Sequence, residues 1–119
     1  MIVTGAFLAE TASVVNNKLD VRGGVVDRFI ARPDRIAMVT LVVLLQPQPF
    51  DQAPVVDVTI STPAGEPHRL VLDVPQNSLG GRIGFFCAPI RLPVPVDGDY
   101  VFSIATHQGS LSLPLSVTS

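Results

Sequence analysis

The chain has 119 residues, 47% of them hydrophobic and 15% charged. That length fits one domain, expected to span residues 1–119, which buries enough surface to fold without a metal or a disulfide. The apolar fraction excludes intrinsic disorder, and a net charge of −2 argues against a nucleic-acid binder that works by bulk charge.

The single cysteine, Cys87, excludes an internal disulfide. The opening MIVTGAFLAETASVV has no basic residue ahead of its apolar stretch, and Thr4 and Glu10 interrupt it, so it does not read as a signal peptide. The longest apolar run, 36–45, is half the length of about 20 residues that a membrane helix needs. A cytoplasmic protein with no membrane association is the expectation.

Eleven prolines and nine glycines punctuate the chain too often for long helices. In chain order, residues 2–9 read as a strand, with room for one helical turn within 6–15. Asn16-Asn17 marks a turn into the segment LDVR, and Gly23-Gly24 a bulge or bend before VVDRFI. The apolar run at 36–45 follows. Segment 46–54 holds three prolines in nine residues, which favours extended backbone crossing between sheets. Val56, Val58 and Ile60 then alternate with polar residues up to a Thr62-Pro63-Ala64-Gly65 turn. Beyond it Leu70, Leu72 and Val74 alternate with Arg69, Val71 and Asp73, which predicts a hairpin. Residues 82–92 read as a strand interrupted near Pro89.

The last hairpin is the clearest. Tyr100, Phe102 and Ile104 share one face of its first strand, and Leu111, Leu113, Leu115 and Val117 one face of its second. The HQGS segment at 107–110 supplies the turn glycine, and Pro114 on the outward set points to an edge strand. Tyr100 enters its strand from a turn, where a sandwich tyrosine bonds a nearby backbone group. The sum is an all-β chain of about eight short strands in a two-layer antiparallel β-sandwich, immunoglobulin-like.

One strand does not fit a single polar face. In IAMVTLVVLL, Ile36, Met38, Thr40, Val42 and Leu44 point one way, and Ala37, Val39, Leu41, Val43 and Leu45 the other. Water on either side would meet apolar groups, so both faces need cover. The cover is either the chain itself or a second copy. Val39, Leu41, Val43 and Leu45 are the candidate interface, and a two-fold homodimer the simplest closed solution.

The search for chemistry returns no catalytic and no metal-binding constellation, and no cofactor is expected. Cys87 lies in the apolar context FFCAPI, while His68 and His107 sit near predicted strand ends, which disfavours a Cys–His nucleophile. No Gly-x-Ser-x-Gly elbow and no phosphate loop is present. Asp97-Gly98-Asp99 reads as a turn rather than a calcium loop. One charge feature stands out. Lys18, Arg22, Arg28, Arg32 and Arg35 against Asp20, Asp27 and Asp34 leave residues 18–35 at +2, while 46–79 stand at −3. Arg22, Arg28, Arg32 and Arg35 are therefore a candidate docking edge, with an ordinary solvated edge as the competing reading.

Several stretches carry a resemblance: Leu8-Ala9-Glu10, Ala12, Val14, Lys18-Leu19-Asp20-Val21, Gly23-Gly24, Phe29, Pro33 and Leu41 to Leu45. Together with Pro63-x-Gly65 and Pro95-x-x-Gly98-x-Tyr100-x-Phe102, they make the chain similar to an uncharacterised bacterial family of short domains of unknown function. That resemblance implies a β-sandwich and no activity. The expected function is a non-catalytic protein-interaction or accessory module that associates with itself or an unidentified protein partner. The alternative is a small-ligand or carbohydrate-binding sandwich using Phe50 and Tyr100.

Overall fold

A computed structural model describes residues 1–48 and 54–119. Among them are nine strands: β1 (Ile2–Val15), β2 (Lys18–Gly24), β3 (Arg28–Ile30), β4 (Ile36–Gln46), β5 (Val55–Ser61), β6 (His68–Asp73), β7 (Gly84–Pro93), β8 (Gly98–Thr106) and β9 (Gly109–Thr118). One 3₁₀ turn, Gln76–Leu79, precedes β7. The strands form two sheets, ordered β2-β1-β4-β7 and β3-β9-β8-β5-β6. Every pairing is antiparallel except β3 with β9, which is parallel and departs from the all-antiparallel expectation.

Local chemistry accounts for the turns. Asn16 and Asn17 both take positive φ (53° and 59°), as a two-residue hairpin joining Val15 to Lys18 requires. The Gly65 amide donates to the Thr62 carbonyl at 3.2 Å, closing the expected Pro-x-Gly turn between β5 and β6. No helical turn forms within 6–15, because β1 runs unbroken through it. Nor does Pro89 interrupt β7. That strand is the outer one of its sheet, where a missing N–H costs no ladder bond. Pro114 meets the same condition, since β9 meets β3 only at Ser116 to Thr118.

The core lies between the sheets. From one side come Leu8, Val39, Leu41, Val43, Leu45, Phe86 and Ile90, and from the other Val56, Val58, Ile60, Tyr100, Phe102, Ile104, Leu115 and Val117. Tyr100 is fully buried, and its hydroxyl donates to the Val96 carbonyl at 2.7 Å. A buried phenol without that acceptor would leave a polar group stranded, so the bond is what admits tyrosine here.

The two-faced strand is β4, central between β1 and β7. Val39, Leu41, Val43 and Leu45 are each 4% exposed or less and form part of this core. Their place inside the chain leaves no surface on them for a partner, and the opposite sheet is their cover. On the outer face Met38 stays exposed, while Val42 is covered by a different part of the chain. Cys87 Sγ on β7 donates to the Ala12 carbonyl on β1 at 3.6 Å, although β4 lies between those strands in the sheet. The far end of β1 therefore leaves the sheet plane and crosses over β4. Val42, the register neighbour of both Phe7 and Cys87, is closed off from water beneath it.

Candidate interaction surface

The surface begins at the glycine pair. Gly23 takes φ +64°, β2 ends at Gly24, and the chain passes to the other sheet through residues 25–27. The Val26 amide donates to the Leu8 carbonyl at 2.7 Å, which anchors the crossing and turns Val26 toward the core. Val25, its neighbour, is thrown outward and is 70% exposed. The Ser116 amide donates to the Asp27 carbonyl at 2.8 Å and the Ala31 amide to the Thr118 carbonyl at 2.6 Å, pinning β3 along β9. Strand alternation does the rest: Phe29 packs on the core while Arg28 and Ile30 face away from it.

Met38, near the start of β4, faces the same space. A groove of about 740 Å³ results, lined by Val25, Ile30, Met38, Arg28, Arg32 and Glu10 among others. Ile30 is 74% and Met38 59% exposed, so three large apolar side chains meet water together. Beyond Ile30 a second groove continues along β9 past Pro114 and Ser116.

The four candidate arginines do not act alike. Arg28 and Arg32 share the groove and make no ion pair among the described residues. Arg22 lies on β2 opposite Thr11, outside the groove lining. Arg35 is committed internally: its Nε donates to the Val94 carbonyl at 2.8 Å and its Nη2 reaches Asp97 Oδ1 at 2.9 Å. A hydrogen bond from the Ser119 hydroxyl, then one from Arg35, holds the Asp97 carboxyl below the usual carboxylate range. Sequence reasoning grouped these arginines by spacing, but Asp97 stands 62 positions from Arg35 and only folding joins them.

A second cleft, of about 370 Å³, opens where the β1–β2 hairpin overhangs β7. Val14 and Asn17 form one wall, and Pro75, Ser78, Phe85 and Cys87 the other. The Ser78 hydroxyl is used locally, donating to the Phe85 carbonyl at 2.8 Å. Neither His68 nor His107 lines this cleft, so the thiol has no imidazole beside it there. Among the described residues no group of three or more His, Cys, Asp or Glu side chains could hold a metal ion. No helix among them is long and apolar enough to cross a membrane. Phe50 and Asp51 lie outside the described residues.

No protein-family model, curated protein or solved structure matches this chain.

Proposed function

We propose that the protein is a non-catalytic protein-interaction module built on an immunoglobulin-like sandwich. The strand order supports the fold. β1, β4 and β7 take the places of strands A, B and E, while β9, β8, β5 and β6 take those of G, F, C and C′. The bond from Tyr100 to Val96 matches the tyrosine corner of such domains.

The single observation behind the function is the exposure of Val25, Ile30 and Met38 together in one groove. Side chains of that size gathered in water mark a docking surface rather than a solvated edge. The partner is an extended segment of another protein, with apolar side chains for the groove and carboxylates for Arg28 and Arg32. Glu10 and Asp27 line the same groove, so the arginines act as local contacts that orient the segment and exert no long-range field.

Selection of displayed random peptides on the immobilised chain tests this. Enriched sequences combine apolar and acidic residues, and lose binding to Met38→Glu and to Arg28→Glu/Arg32→Glu proteins whose circular dichroism is unchanged. Absence of enrichment, or enrichment indifferent to both variants, overturns the reading. The runner-up, a small-ligand site, draws on the cleft beside Cys87, whose volume lies within the range of ligand pockets. Its sugar-stacking form loses Tyr100, which is buried.

A further inference from the structure

Each sheet has two edges, and three of the four are guarded. β7 carries Pro89 and ends at Pro93, β3 is only three residues long, and β2 closes on a glycine pair in which Gly23 leaves extended backbone at φ +64°. Short length, proline and distorted edge backbone are among the devices by which proteins stop sheets from adding strands. The fourth edge is β6, His68–Asp73, which contains neither proline nor glycine and among the described residues pairs with β5 alone. Val71 is 64% and Leu70 37% exposed on it.

The sequence of β6 is complementary to itself. Through the register with β5, Leu70 and Leu72 lie opposite the core residues Val58 and Val56 and so belong to the inner face. Arg69, Val71 and Asp73 belong to the outer face. We propose that β6 is a homodimerisation edge, pairing antiparallel with β6 of a second copy about a two-fold axis midway between the two copies of Val71. An axis perpendicular to the sheet must lie level with a residue and its own copy, because opposed side chains share a face. Centred on Val71, the pairing sets Val71 against Val71, Leu70 against Leu72, and Arg69 against Asp73 twice. The apolar inner layer then continues from one copy into the next. A centre at Leu70 or Leu72 would set Arg69 or Asp73 against Val71 and lose both ion pairs, so charge selects one register.

β6 and β3 are opposite edges of the same sheet, so this pairing leaves the Val25–Ile30–Met38 groove uncovered. The proposal is independent of the peptide-docking reading, and the two fail separately.

Sedimentation equilibrium on the full chain, from micromolar to submillimolar concentration, tests it with a charge swap. The wild type dimerises. Arg69→Asp places like charges opposite each other twice, as does Asp73→Arg, and each alone weakens dimerisation about tenfold or more. Mixing those two variants restores association as a heterodimer, and Arg69→Asp/Asp73→Arg in one chain restores the homodimer. Circular dichroism confirms that each variant is folded, and the restored double variant covers a single variant that is not. A wild type that stays monomeric, a dimer indifferent to both single variants, or a mixture that fails to associate overturns the proposal.

Discussion

Arg35 and Val94 hold each other through two hydrogen bonds, the Val94 amide donating to the Arg35 carbonyl at 2.9 Å and Arg35 Nε to the Val94 carbonyl at 2.8 Å. This pair ties the loop ahead of β4 to the corner that follows β7, with Arg35 at φ +56°. Arg35→Ala keeps the backbone bond and loses the side-chain one, a cost of about 1–2 kcal/mol. The exposed ion pair with Asp97 adds little to that. Arg28→Glu, on the open groove, changes stability by less than about 0.5 kcal/mol. Urea unfolding of both variants distinguishes the strut from the groove residue.

Acid sensitivity follows from Asp97. Its carboxyl titrates lower in the folded chain than in the unfolded one, because Ser119 and Arg35 bond its charged form. The sign is fixed by linkage: the stabilisation is present above the unfolded value, near 3.9, and is lost as pH falls through the folded value. Asp97→Asn flattens that acid limb and leaves the rest of the stability–pH curve parallel to wild type. Thermal melts between neutral pH and strong acid measure it, with added salt shrinking the difference at this exposed site.

The two faces of β4 respond oppositely to truncation. Leu41, fully buried, loses about 2–5 kcal/mol on change to Ala. Met38, mostly exposed, loses less than about 0.5 kcal/mol. Chemical denaturation of the two proteins reads the difference directly, and a similar cost at both positions would contradict the assignment of faces.

Tyr100 separates packing from hydrogen bonding. Tyr100→Phe keeps the ring and removes the bond to the Val96 carbonyl, costing about 1 kcal/mol, since Val96 is exposed enough for water to replace the donor. Tyr100→Ala also empties a core site and costs about 3–5 kcal/mol. Equilibrium unfolding of the two variants gives both values.

Gly84 records a close approach that no alternation pattern reveals. A Cβ there would collide with the Ser78 carbonyl oxygen, a backbone atom of the 3₁₀ turn. Gly84→Ala therefore displaces that turn from β7 and costs about 1–3 kcal/mol by overpacking. Amide exchange in residues 76–80 rises with it.

Much of the fold is legible in the residues themselves. Period-two alternation marks β5, β8 and β9 with the correct inward set, and Asn16-Asn17, Pro63-x-Gly65 and Gly109 mark turns that the structure forms. These features are local: a strand's side chains alternate wherever it lies, and a turn residue acts on its own backbone. Alternation also shows that both faces of 36–45 need cover, but it cannot tell which set looks inward, because that depends on which side the second sheet packs.

Tertiary structure decided the remainder. Crossing of β1 over β4 and the joining of Arg35 to Asp97 unite residues distant in the chain, and the meeting of Val25, Ile30 and Met38 brings together residues from separate elements. Such contacts depend on how sheets twist, bend and stack, which hydropathy at neighbouring positions does not encode. The sequence by itself determined an all-β chain and its apolar faces; the stacking of two sheets settled which of those faces became core and which stayed open to water.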